Sequence, residues 1–124
     1  MNFDDKIPIY YQIKEYIYRQ IITGKLEPGE KIPAVRQLAV DLTVNVNTIQ
    51  RALSELVTEK MIESKRGRGN FVTEDINKVK ELKGKLIMEQ LKQMYDSLRK
   101  LNVSDQEILD YVSQYINKQE RDQK

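Results

Sequence analysis

Residues 32–72 read IPAVRQLAVDLTVNVNTIQRALSELVTEKMIESKRGRGNFV, and the order of small, apolar and turn-forming side chains in this stretch decides the fold. Val35, Leu38, Ala39 and Leu42 recur at the spacing of a short amphipathic helix over 34–42. Ile49, Ala52, Leu53, Leu56 and Val57 make the 3-1-3-1 face of a second helix reaching about Glu59, with Asn45 as its natural N-cap. Two helices that cross at a tight turn need a small residue, a turn residue and a buried β-branched one, and Ala39, Thr43 and Ile49 stand at those places. Directly afterwards, Met61–Ser64 and Asn70–Thr73 read as two short strands around Ile62, Phe71 and Val72, joined by Lys65-Arg66-Gly67-Arg68-Gly69. The expected fold is mainly α with a small β-hairpin wing, a winged helix-turn-helix followed by a two-helix C-terminal unit.

The charge around this stretch is uneven. The chain as a whole carries only +2, too little to argue for a polyanionic partner by itself. Between Lys60 and Asn70, however, Lys60, Lys65, Arg66 and Arg68 face Glu63 alone, a net +3 in eleven residues. On the second helix, Asn47, Thr48, Gln50, Arg51 and Ser54 lie opposite the apolar face, while Glu55 and Glu59 come only farther along. Amides pair bidentately with adenine, and arginine with guanine or a phosphate, so this helix end is equipped to read base edges in a major groove. Arg36, near the start of the first helix of the motif, is placed to meet a phosphate or a base edge. The two glycines of the hairpin tip bring backbone N–H groups close to a phosphate, with Lys65, Arg66 and Arg68 beside them. A Gly-x-Gly also occurs in nucleotide cradles, but no helix follows here at the required spacing.

Composition excludes much else. The chain has 124 residues, 40% hydrophobic and 32% charged, which fits one compact domain with an appendage, divided as 1–74 and 75–124. The absence of cysteine and histidine removes disulfides, thiolate nucleophiles and the usual metal ligands, so no cofactor or metal is expected. No apolar run approaches the roughly 18 residues of a membrane span, and MNFDDKIPIYY has acids where a signal peptide is basic. The expectation is a cytoplasmic protein without a membrane partner. Asp4 with Asp5, or Asp41 with Glu55, are the only carboxylate pairs that invite an enzymatic reading, and they fit solvating charges better.

Upstream of the motif, Ile9, Ile13, Ile17 and Ile21 recur every four positions, widened by Tyr10, Tyr16 and Ile22. They predict a scaffold helix over 8–23, opened by Pro8 and closed by Gly24. Glu27-Pro28-Gly29 predicts a turn into an extended Lys31-Ile32 that pairs with the hairpin. Downstream, Ile87, Leu91, Met94, Leu98 and Leu101 follow 4-3-4-3 spacing on a long helix, with Val79, Leu82 and Leu86 on a neighbouring stripe and Gly84 as a candidate bend. Ser104 and Glu107 form a capping box for a last helix with Ile108, Leu109, Val112, Tyr115 and Ile116 expected to face inward, and the polar tail after Asn117 is expected to fray. Two helices cannot enclose their own core. Ile87, Leu91, Met94, Leu98, Leu101, Ile108 and Val112 are therefore expected to pair with a second copy, which would set two recognition helices one DNA turn apart, roughly 34 Å.

The run from Pro8 to Val72 also resembles the DNA-binding domain of the GntR family of bacterial transcription regulators, and the two-helix tail is similar to its YtrA-like branch. The residues that carry the likeness are Pro8-Ile9-Tyr10 with Gln12-Ile13, Gly24-x-Leu26-x-Pro28-Gly29, Ile32-Pro33 with Arg36-x-Leu38-Ala39, Asn47 through Leu53, and Arg66-Gly67-Arg68-Gly69-x-Phe71-Val72. The likeness implies a homodimer on a palindromic operator of double-stranded DNA, usually as a repressor and often near ABC-transporter genes. It also puts Arg36, Asn45, Asn47, Thr48, Arg51, Arg66, Arg68 and Gly69 at DNA-contact positions. The sequence departs from the pattern at four places. Ala34 replaces a capping serine, Val46 a base-reading arginine or a proline, and Thr43 and Lys60 each a frequent glycine. A small-molecule effector stays unknown, because two helices offer too little chain for an enclosed pocket of roughly 300 Å³ or more. The rival from another class is a winged-helix protein-interaction module that binds no specific DNA.

Overall fold

A computed structural model describes residues 2–123. Five helices and one hairpin follow in the order α1 (Ile9–Ile22), α2 (Val35–Leu42), α3 (Val46–Thr58), β1 (Ile62–Lys65), β2 (Gly69–Val72), α4 (Ile76–Arg99) and α5 (Asp105–Asp122). The chain divides into two compact units between Lys83 and Gly84.

In the first unit, the isoleucine spacing of α1 puts Ile13, Ile17 and Ile21 in the core, together with Leu38, Ala39 and Leu42 of α2 and Ile49, Ala52, Leu53 and Leu56 of α3, and α3 packs on both other helices. Ile49, Ala52 and Leu56 are fully buried, which is the spatial meaning of the 3-1-3 spacing. Gln12 ties down the preceding arm: its Nε2 donates to the carbonyls of Asp4 at 2.7 Å and Ile7 at 2.8 Å, and its Oε1 accepts from the Asp4 N–H. The turn of the motif closes with Thr43 in the left-handed region at φ 56°. Asn45 then caps α3, its side chain accepting from the Asn47 N–H at 2.8 Å. No side chain caps α2 at Ala34.

The strands of the hairpin lie one residue closer to its tip than the expected bounds at each end. Strands run from Ile62 to Lys65 and from Gly69 to Val72, pairing Ile62 with Val72 and Lys65 with Gly69. Gly69 adopts φ +111° and still joins the ladder, which shortens the loop to Arg66–Arg68 and leaves Met61 buried as the lead-in. Lys31 bridges Phe71 as expected, and three backbone bonds secure that edge: Gly29 N–H to Val72 O at 3.0 Å, Val72 N–H to Glu30 O at 2.9 Å, and Ile32 N–H to Asn70 O at 2.8 Å.

In the second unit, α4 continues unbroken through Gly84, where a bend was a candidate. The capping box at Ser104 forms in both directions, and the Tyr95 hydroxyl donates to Asp105 across the α4–α5 junction at 3.0 Å. α5 runs five residues past Asn117, where fraying is expected from composition; Lys118, Gln119, Glu120 and Arg121 are good helix formers and no Gly or Pro interrupts them. Among the described residues, none in α4 or α5 is buried.

Candidate nucleic-acid interface

The first unit places the candidate contact residues on three elements. Arg36 is exposed in the first turn of α2 and has no hydrogen-bond or ion-pair partner among the described residues. Asn45, Asn47, Gln50 and Arg51 are exposed and Thr48 is half-buried, all at the N-terminal end of α3. Lys65, Arg66, Arg68 and Gly69 are exposed on the hairpin. Asn47, Thr48 and Arg51 share a shallow groove of about 360 Å³ with Ile9 and Tyr10 of α1. Gln50 lies on the other flank of α3, in an open groove of about 550 Å³ shared with Ser54, Ser64 and Asn70. Asn45 is the partial exception in this set, because its amide oxygen is already committed to the helix cap. Arg36, Asn45 and the tip residues Arg66 and Arg68 line neither groove.

The acids of α3 are drawn onto a buried lysine, and Glu55 also lies 3.6 Å from Arg51 Nε. Lys14, with only 8% of its surface exposed, holds Nζ 3.0 Å from Glu55 and 3.0 Å from Glu59, and the Tyr18 hydroxyl donates to Glu59. Burial alone would lower the Lys14 pKa, but the hydrogen bonds and charges of Glu59 and Glu55 outweigh it and raise it. Burial, then the Glu59 carboxylate, raises that of Tyr18. A phosphate approaching the amide end of α3 therefore meets carboxylates already paired with a cation.

Two contributors to this surface, Lys31 and Tyr10, escape sequence reasoning, and Lys65 gains a contact that the sequence did not show. Lys31 lies over Gly69, so close that a Cβ there would come 3.0 Å from its Cε, and it adds a cation at the base of the wing. The extended pairing of Lys31 was the available signal. Lys65 packs its ammonium 4.6 Å from the Phe71 ring. Tyr10 stacks on Arg51, with the guanidinium carbon 3.7 Å from the ring centroid. The dimerisation candidates divide by exposure: Ile87, Leu91, Met94 and Leu101 are exposed, and Leu98, Ile108 and Val112 half-buried.

Among the described residues there is no cluster of acids able to hold a metal, and no helix long and apolar enough to cross a membrane. A profile of bacterial regulatory proteins of the gntR family matches residues 9–72. The uncharacterised HTH-type transcriptional regulator YhcF of Bacillus subtilis is 36% identical over 92% of this chain and 94% of its own length. The HTH-type transcriptional repressor YtrA of the same organism is 38% identical over 70% of this chain and 68% of its own. Among solved structures, a GntR family transcriptional regulator from Listeria monocytogenes superposes with a TM-score of 0.85 at 38% identity, covering 90% of this chain and 98% of that one. The AraR DNA-binding domain in complex with operator ORR3 superposes at 0.54 and 34% identity, over 59% and 88%.

Proposed function

The chain belongs to the GntR family of bacterial regulatory proteins, and from that premise we propose that it is a cytoplasmic, homodimeric repressor that grips a palindromic operator. The observation that carries this reading is the distribution of charge on α3: the amides of Asn47 and Gln50 stand exposed at its N-terminal end beside the half-buried Thr48, while Glu55 and Glu59 are neutralised by Lys14, and Glu55 also by Arg51. In this reading Asn47, Thr48 and Gln50 choose the bases, and Arg36, Arg51, Lys65, Arg66 and Arg68 displace counterions from phosphates, with the Gly69 backbone and the free amide of Asn45 alongside. Residues 75–124 supply the dimer contact through Ile87, Leu91, Met94, Leu98, Leu101, Ile108 and Val112. The relative named as the repressor YtrA supports repression, and the YtrA-like resemblance favours a transporter operon as the target.

The test is binding to duplexes from the protein's own upstream region, followed by salt titration. Affinity should fall by about a thousandfold between roughly 50 and 200 mM salt if each half makes a handful of phosphate contacts. Arg68→Ala should weaken all duplexes alike and flatten the slope by about two, one for each half of the dimer, whereas Asn47→Ala should shift base preference and leave the slope in place. Retardation of no duplex at low salt would instead support a protein-docking module.

A further inference from the structure

We propose that Tyr10 is a positioning residue for Arg51: its ring is the seat on which the guanidinium is held toward the duplex, so that α1 takes part in DNA contact through a side chain of α3. The proposal rests on the DNA-binding reading above. Arg51 is an exposed side chain, and a free arginine at such a place samples many rotamers that must be fixed when it meets a phosphate. Here two contacts fix it beforehand. The guanidinium carbon lies 3.7 Å from the Tyr10 ring centroid, a face-stacking distance, and Nε lies 3.6 Å from Glu55 Oε2.

The two contacts use different parts of the group. Tyr10 covers one face and Glu55 approaches the Nε edge, while neither terminal nitrogen donates a hydrogen bond among the described residues. That leaves the outer edge, the one that binds phosphate oxygens as a fork, free. Glu55 is itself held at 3.0 Å by the buried Lys14, so the seat is anchored in the core rather than on another mobile surface group. The remaining wall of the groove is Ile9, Asn47 and Thr48, which places the seated guanidinium beside two base-reading candidates. The Tyr10 hydroxyl has no hydrogen bond among the described residues. The stacking ring is therefore the working part.

The experiment measures binding of the full-length protein to a duplex selected from a random pool by the wild type, across a salt series, for Tyr10→Phe, Tyr10→Leu, Arg51→Ala and the double variant Tyr10→Leu/Arg51→Ala. Tyr10→Phe should stay within about twofold of wild type. Tyr10→Leu should weaken binding about fivefold and lower the slope of log affinity against log salt, and should add nothing in the Arg51→Ala background. A loss of folded fraction would leave that slope unmoved, so the slope separates positioning from mere scaffolding. Arg51→Lys keeps the charge but loses the stacking plane, and should behave like Tyr10→Leu without touching α1. A Tyr10→Leu loss that persists in full without Arg51, a Tyr10→Phe loss as large as that of leucine, or no loss at all would each overturn the assignment while leaving DNA binding intact. A wild type that selects no duplex would overturn both.

Discussion

Two side chains in the first unit sit where the backbone favours glycine, Thr43 at φ 56° and Lys60 at φ 63°. For a β-branched residue the left-handed region costs about 1–2 kcal/mol, and glycine returns roughly half of that through the freedom it adds to the unfolded chain. Thr43→Gly should therefore stabilise the protein by about 0.5–1 kcal/mol, seen as a higher urea midpoint at unchanged slope; a lower midpoint would mean that the threonine methyl matters to packing. Both positions were legible, because the departure from glycine marks a turn that must still form. The Lys14 cluster was not. A lysine one position past Ile13 reads as a solvated face, and only the packing of α1 on α3 shows it buried between two acids. The unfolded chain releases protons from Tyr18 and Lys14 near their ordinary values of 10.0 and 10.5, whereas the folded protein holds both to higher pH. Stability contributed by these groups is thus complete below about pH 10 and drains as pH rises beyond it. Denaturant titrations across that window should show the decline, shallower for Tyr18→Phe, and equal slopes for the two proteins would remove Tyr18 from the account.

At the scale of elements, α3 is held from its first residue by one side chain. Asn45→Ala should cost about 1 kcal/mol of stability through the lost bond to the Asn47 N–H. Urea denaturation checks this, and an unchanged midpoint would show that water replaces the cap without loss. Helix starts marked by such residues, at Asn45 and at Ser104, could be found from the sequence because the cap is local chemistry. Boundaries that depend on partners could not. The strands moved by one residue because Gly69 pairs despite its unusual φ, and α5 lengthened because nothing in KQERD stops a helix. The amide row of α3 was visible as a pattern, but Tyr10, which stacks on its Arg51, and Lys31, which lies over Gly69 of the wing, each come from a segment about forty residues earlier in the chain than the residue they touch.

For the whole molecule, the second unit presents Ile87 at 49%, Leu91 at 44% and Leu101 at 69% exposure, with Leu109, Tyr115 and Ile116 also exposed on α5. Solvated aliphatic side chains repeated along two helices are what an association surface requires. For the homodimer proposed above, Leu91→Lys should leave the first unit folded, shift the protein to monomer in sedimentation, and weaken binding to a two-half-site duplex by tenfold or more, with half-site binding little changed. A dimer that survives the substitution would place the contact elsewhere. The wing, in turn, is fastened to a turn that carries none of the proposed contact residues: Gly29, at φ +78°, donates to Val72, and a Cβ there would come 2.9 Å from Glu74 Oε1. Crowding that bend would loosen the root of the hairpin and let its arginines wander. In a genetic screen for lost DNA binding, a lesion at Gly29 would masquerade as damage to the proposed contact side chains, although the residue is not one of them.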